Sequence, residues 1–224
     1  EFSKKFEDPE SAIYICQHIS VNRLNWRSKN IFTPHCYNKN FKPIPHFAIN
    51  AGTYKKFSDR KYDVSFVGSF ETHASRPISC MSVDIHIDKD RKKIHNTGGW
   101  HFHKRDVQKE ENYKQILSNT KISLCPRGTG PSTIRLWESI GTGCIPLIIT
   151  DSDIMPLSNI IDWKKNSITI PTWHSSLAGV ICNKILNRDI KDLEIMSENI
   201  YENFINYFSK ETIHKSILKA LNND

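Results

Sequence analysis

The chemistry-bearing residues concentrate in one stretch. From Lys121 the chain reads KISLC, PRGTGPST, IRLWESIGTG and CIPLIIT. An apolar strand pattern, a loop rich in glycine and hydroxyls, a helix pattern and a second apolar strand make one βαβ unit. A helix start presents unsatisfied N–H groups and the positive end of its dipole, which suits phosphate. Gly128 and Gly130 let backbone approach an anion closely. Pro131 fits a first helical turn, where its missing N–H is not needed. Ser132 and Thr133 add hydroxyls, and Arg127 adds a fork of donors matched to phosphate. The loop follows a strand, and ligands bind at such C-terminal strand ends. It has no Walker lysine, and Thr133 stands where the dinucleotide fingerprint has its third glycine. From the glycine turn alone, a phosphate site and a plain helix cap both stay open.

The helix extends the pattern. Ser132, Arg135, Glu138 and Ser139 share a polar face by helical spacing, and Ile134, Trp137 and Ile140 lie mostly elsewhere. A glutamate one to two turns past a phosphate-binding helix start is placed to accept both ribose hydroxyls. The competing reading is an exposed Arg135–Glu138 ion pair. A second loop, Gly68-Ser-Phe-Glu-Thr-His-Ala-Ser-Arg76, follows the strand pattern Asp63–Val67. Arg76 is there a second phosphate ligand, and Glu71 or His73 a general base; the alternative is a capped turn with a surface histidine. Asp106, Asp151 and Asp153 are further base candidates. His95, His101, His103 and Cys80 invite a zinc reading, but no second ligand pair follows at structural spacing, so no metal is expected. Gly98-Gly99-Trp100 reads as a flap, or Trp100 as packing.

These loops need a frame. Residues 61–224 alternate: strands at Asp63–Val67, Ser82–Ile87, Lys121–Cys125, Ile145–Thr150 and Ser167–Ile170, and helices at Val107–Ser118, Pro131–Gly141, 176–187, 189–208 and 211–221. Asp90–Trp100 reads as a polar loop. Such alternation predicts an α/β layer fold with a parallel sheet, and the all-apolar strand at 145–150 predicts burial on both faces. Residues 1–60 are broken by Pro34, Pro43, Pro45 and Gly52, with short strands at Ala12–Ile15, Asn30–Thr33 and Phe47–Asn50. They read as a reduced or truncated N-terminal lobe.

Composition sets bounds. The 224 residues, 38% hydrophobic and 25% charged, suit one large domain or one domain plus a fragment. The net charge of +7 suits an anionic partner, although the lysines are scattered as on a solvated surface. The six cysteines (16, 36, 80, 125, 144 and 182) form no CxxC pair and read as reduced thiols. No asparagine lies in an N-x-S/T sequon, and no apolar run reaches membrane-span length. The location this favours is cytoplasmic, or the Golgi lumen if an N-terminal anchor has been removed.

The run from Tyr113 to Gly128 (YKQILSNTKISLCPRG), then STIRLWESIGTGCIPLIITD, MPL and IIDW, resembles the exostosin family of inverting glycosyltransferases. That family shows a Y…L…F-C-L-x-P-R-G run followed by S-x-R-L-x-E-A-L-x-x-G-C-I-P-V and L-P-F…W. The likeness is good over 113–163, loose up to Gly68 and slight over 1–60; Trp137 and Ser139 replace commoner residues. It implies a GT-B fold, with residues 1–60 as a reduced acceptor-side lobe and 61–224 as a Rossmann-like nucleotide-sugar domain. On matching positions Arg127 would touch the donor diphosphate, Gly128, Thr129, Gly130, Ser132 and Thr133 would cradle it, Arg135 would support the site, and Glu138 would hold the ribose. Gly68 and Arg76 complete the donor set. The expected reaction is metal- and cofactor-independent transfer of a monosaccharide, with inversion, from a UDP-type donor to a glycan hydroxyl. Neither nucleic acid nor a membrane span is expected. The alternative is a non-catalytic module that binds an anionic polysaccharide or nucleic acid through its basic surface.

Overall fold

A computed structural model describes residues 14–15, 31–33, 41–98, 106–152 and 155–222. Three short parallel strands, β1 (Tyr14–Ile15), β2 (Ile31–Thr33) and β3 (Phe41–Pro43), form one small sheet in chain order. Phe47–Asn50 is not a strand; the chain turns there, and its backbone is taken by other elements. Asn50 N–H donates to Glu138 Oε1 (3.1 Å), Gly52 N–H to Thr142 Oγ1 (2.8 Å) and Thr53 N–H to Ser118 Oγ (2.8 Å).

The second sheet holds β4 (Tyr62–Gly68), β5 (Lys92–Asn96), β6 (Thr120–Pro126), β7 (Ile145–Ile149) and β8 (Ile168–Ile170). All pairings are parallel, in the order β5-β4-β6-β7-β8. The chain winds one way from β4 to β5 and the other way from β6 onward. The order therefore reverses between β4 and β6, and the C-terminal ends of those two strands flank a switch-point crevice.

The helices are α1 (Ser75–His86), α2 (Val107–Ser118), α3 (Ile134–Ile140), α4 (Trp163–Asn166), α5 (Ala178–Leu186), α6 (Ile190–Asn203) and α7 (Ile213–Asn222), with a π-helical turn at Phe204–Phe208. Strand residues alternate between two cores, as period-2 geometry requires. Ile122, Leu124, Ile145, Leu147 and Ile149 pack with Val83, Cys182 and Ile185 on one face. Cys125 and Ile148 pack with Trp137, Trp163 and Phe208 on the other. Burial on both faces explains why β7 is apolar throughout. Cys80, Cys125, Cys144 and Cys182 are free, buried thiols. Among the described residues no helix is long and apolar enough to cross a membrane.

Three further elements differ from the sequence reading. Ser82–Ile87 is not a strand but the end of α1, where Val83 and Ile87 are buried one helical turn apart. The polar stretch after Asp90 contains edge strand β5. The helix expected from Pro131 starts at Ile134: Thr133 is extended (φ −138°, ψ 139°), and the Pro131 carbonyl accepts from Thr150 Oγ1 (2.7 Å) at the end of β7.

Candidate functional site

Two buried arginines meet at the switch point. Arg76, on the first turn of α1, is 9% exposed and Arg135, on the first turn of α3, is 8% exposed. Both guanidinium groups lie over the ring of Phe66 in β4, at 5.9 and 4.0 Å from its centroid. Arg76 Nε donates to Arg127 O (3.0 Å) and Nη1 to Ser69 O (2.9 Å), which joins the loop after β4 to the loop after β6. Arg135 Nη2 donates to Val67 O. The two backbones approach these cations at glycines. A Cβ on Gly68 would overlap Arg135 Nη2, and one on Gly128 would lie 3.1 Å from Arg76 Nη2.

A third buried arginine shows what a purely structural one looks like. Arg60 donates to Thr120 O (2.8 Å), Thr142 O (2.9 Å) and Lys55 O (2.7 Å), so each of its terminal nitrogens is satisfied. Arg135 is different: its Nε and Nη1 are buried with no hydrogen-bond partner among the described residues. Neither Arg76 nor Arg135 pairs with a carboxylate among the described residues. Burial and then the charge of Arg135 bring the pKa of Arg76 down to about 10. Two desolvated cations side by side are unfavourable without an anion between or beside them. Thr72 Oγ1, 3.9 Å from where a Gly128 Cβ would stand, is another buried atom without a partner.

Arg127 sits at the rim of this group. Its Nη1 pairs with Asp151 Oδ2 (3.2 Å) and its Nη2 donates to Thr129 O (3.2 Å). Asp151 is braced by the backbone N–H (3.0 Å) and hydroxyl (2.6 Å) of Thr172. Thr129 is exposed and Gly130 half-buried. On the loop after β4, Glu71 is exposed and His73 half-buried. Nδ1 of His73 accepts the Ser75 backbone N–H (3.1 Å) and lies 2.9 Å from Ser75 Oγ. Burial, then the positive charge of Arg127, pulls the His73 pKa below its ordinary value.

The remaining sequence-predicted residues face elsewhere. Ser132 and Thr133 line a cavity of about 30 Å³ together with Pro43, Ile44, Trp137 and Thr150. The Nε1 of Trp137, which is 1% exposed, has no partner. Glu138 is 5% exposed and forms no ion pair with Arg135. Its Oε2 accepts from Tyr113 OH (2.8 Å) and its Oε1 from Asn50 N–H (3.1 Å), so both oxygens are engaged. Burial raises the pKa of Glu138 and pushes that of Tyr113 well up. Among the described residues no three His, Cys, Asp or Glu side chains gather to hold a metal ion. His101, His103, Trp100 and Asp153 lie outside the described residues.

Phe66, Thr72 and Asn50 are parts of this arrangement that motif reading passes over, and Tyr113 enters it only as the first residue of a family-like run, with no tie to Glu138. Phe66 looks like ordinary strand core, and nothing local ties Asn50 to a glutamate 88 residues away.

The parallel sheet with helices on both faces, and two buried arginines at its switch point, belong to an α/β fold of the GT-B type. The fold alone is shared with the sucrose-phosphate synthase of Thermosynechococcus elongatus, at a TM-score of 0.53 and 15% identity, covering 87% of this chain and 52% of that one. Residues 4–185 match the Exostosin GT47 domain, and the chain belongs to that family. It is 26% identical over 176 residues to an Exostosin-1 homolog of Caenorhabditis elegans, covering 73% of this chain and 45% of the relative. It is 27% identical over 143 residues to Exostosin-2 of Bos taurus, covering 64% of this chain and 18% of the relative. A probable arabinosyltransferase of Arabidopsis thaliana is 37% identical over 96 residues, 42% of this chain and 21% of that protein. The chain thus spans less than half the length of these relatives.

Proposed function

We propose that the chain binds a nucleoside diphosphate sugar, of the UDP type, and supports inverting transfer of its monosaccharide to a glycan hydroxyl without a metal ion. The observation that carries this reading is the buried Arg76–Arg135 pair at the switch point, which no carboxylate among the described residues neutralises. A diphosphate supplies two phosphates whose oxygens match guanidinium forks. Arg135 Nε and Nη1 and Thr72 Oγ1 are donors with nothing to bond. Arg127 would leave or share Asp151 to reach the same anion, while Gly68 and Gly128, with Thr129 and Gly130 beyond, give the backbone close approach.

In the transfer, an acceptor hydroxyl attacks the anomeric carbon from the face opposite the diphosphate. The bond to the phosphate oxygen breaks, and its electron pair leaves with the diphosphate. Preorganised cations stabilise the charge that develops there, the part a divalent metal plays at other sites. The loop after β4 would supply the base, Glu71 or His73. Ser132 and Thr133, half-sequestered with Trp137, would border the nucleoside side of the donor. Glu138, with both oxygens already bonded, would act on the ribose only by exchanging one of those partners.

Isothermal titration with UDP, with and without EDTA, tests the reading. The expected result is micromolar to millimolar binding indifferent to EDTA. Binding that appears only with a divalent cation removes metal independence. Binding that weakens steeply with salt and is unchanged by Arg76→Ala indicates a diffuse polyanion surface instead.

A further inference from the structure

His73 and Glu71 share one turn beside the arginine pair, yet the hydrogen bonds around His73 assign the two residues different work. A backbone N–H can only donate, so the Ser75 N–H at 3.1 Å requires a lone pair on Nδ1 of His73. Ser75 Oγ at 2.9 Å approaches the same nitrogen. In a neutral imidazole only one nitrogen is an acceptor, and which one is fixed by the bond at the other. Nδ1 is the acceptor here, so the ring proton sits on Nε2. Nε2 makes no hydrogen bond to the described residues, and it has no lone pair to offer a hydroxyl proton. The charged groups around the ring are Arg127, Asp151 and Arg76. Burial first, and then the field of the two arginines, pulls its pKa below the ordinary value and favours the neutral ring, so the tautomer matters.

We infer that His73 serves the leaving diphosphate as a hydrogen-bond donor through Nε2–H, and that removal of the acceptor proton falls to Glu71. This rests on the donor-site reading above and narrows it. As the acceptor oxygen bonds to the anomeric carbon, its proton passes to the Glu71 carboxylate. The carbon–phosphate oxygen bond breaks, and the electron pair goes to the diphosphate. His73 keeps its proton throughout, and its bond to the phosphate oxygen shortens as charge builds there. Glu71 is exposed on the same turn, with its backbone N–H held by Ser69 Oγ at 3.1 Å. A base open to an incoming acceptor is better placed there than an imidazole whose only acceptor nitrogen is taken.

Two measurements decide it. Long-range ¹H–¹⁵N correlation spectra of the free protein report the tautomer of His73, assigned by comparison with His73→Gln. Nε2 should carry the proton and Nδ1 should show the shift of an acceptor; a protonated Nδ1 overturns the inference. Titration with inorganic pyrophosphate and with UDP should then show His73→Ala weakened roughly tenfold or more, the scale of one hydrogen bond to a charged group. His73→Gln, whose amide N–H stands near the Nε2 position, should recover part of that loss. If both variants bind pyrophosphate like the wild type while losing transfer equally, His73 is a base and the inference fails. If the wild type binds neither ligand, the donor-site reading itself fails, and this refinement goes with it.

Discussion

Replacing Arg135 with methionine should separate what this residue does for folding from what it does for an anion. In the free protein Arg135 gains a desolvated stack on Phe66, at 4.0 Å, and one hydrogen bond to the Val67 carbonyl. Those are worth about 2 kcal/mol and about 1.5–3 kcal/mol. Against them stand two buried donors, Nε and Nη1, with no partner, each costing about 1–3 kcal/mol, and the neighbouring charge of Arg76. Gains and losses nearly cancel, so Arg135→Met should change the free protein's stability by less than about 2 kcal/mol, or less than about 8 °C in Tm for a chain of this size. UDP at about 100 times its Kd stabilises the wild type by about 2.7 kcal/mol, an upshift of roughly 5–11 °C. Losing a buried charged contact of about 2–5 kcal/mol weakens Kd by at least about 30-fold. At the same UDP concentration the variant retains at most about 1 kcal/mol of that stabilisation. Differential scanning fluorimetry of both proteins with and without UDP reads all four numbers. A variant that melts more than about 10 °C lower when free, yet keeps the full UDP shift, would show Arg135 to be a structural arginine like Arg60 and refute the reasoning.

Gly68→Ala should weaken UDP binding while leaving the sheet intact, because the new methyl takes the position of Arg135 Nη2 and pushes the guanidinium off Phe66; titration of UDP against Gly68→Ala and Arg135→Met should give similar losses. Glu138→Gln tests the buried carboxylate. Its folded-state pKa is raised above the ordinary 4.5 by burial, so its favourable contribution is complete below that value and fades as pH rises through the folded pKa. Melting curves from about pH 4 to 7 should therefore show the glutamine variant gaining on the wild type as pH increases, and a variant that instead loses ground to the wild type over that range would contradict the assignment. Glu138→Ala should lose about 2–4 kcal/mol in urea denaturation, since it strands Asn50 N–H and the Tyr113 hydroxyl together. Gly179→Ala places a methyl against the Ser82 carbonyl, whose carbon would lie 2.6 Å away; despite better helix propensity it should destabilise by about 1–3 kcal/mol, again read by urea.

The βαβ unit around 121–150 was legible because its pattern is local: apolar runs of strand length, a glycine loop and a helix between them. α1 was not. Val83, Ile85 and Ile87 alternate as a strand would, yet 83 and 87 are also one helical turn apart, and serines at 75, 79 and 82 occupy much of the buried face beside Arg76 and Cys80. A face built half from serine gives hydropathy little to detect. β5 is an exposed edge strand beginning with two lysines, a composition that blunts edges and reads as loop. Within the site, motif and resemblance singled out Arg127, Arg135, Arg76 and Glu138, but not their states. Arginine spacing suggests surface charge, whereas here the stack on Phe66 and the switch-point strands bury two of the three. The late start of α3 depends on the bond from Thr150 to Pro131, between residues 19 apart. The Glu138 network depends on chain segments brought together only by the whole fold.

Helix α1 also fixes how the crevice will register an occupant. It seats Ser82 Oγ against Ser176 O at 2.6 Å and the Gly179 N–H at 2.9 Å, and turns Ile78, Met81 and Ile85 outward. Cys80 and Val83 seat it in the main core, and it packs along α5. Arg76 lies on its first turn and bridges to Ser69 and Arg127. A dianion clamped there would cross-link α1 to the central strands, and slowed deuterium uptake along 75–86 becomes a reporter of occupancy at a distance from the ligand itself.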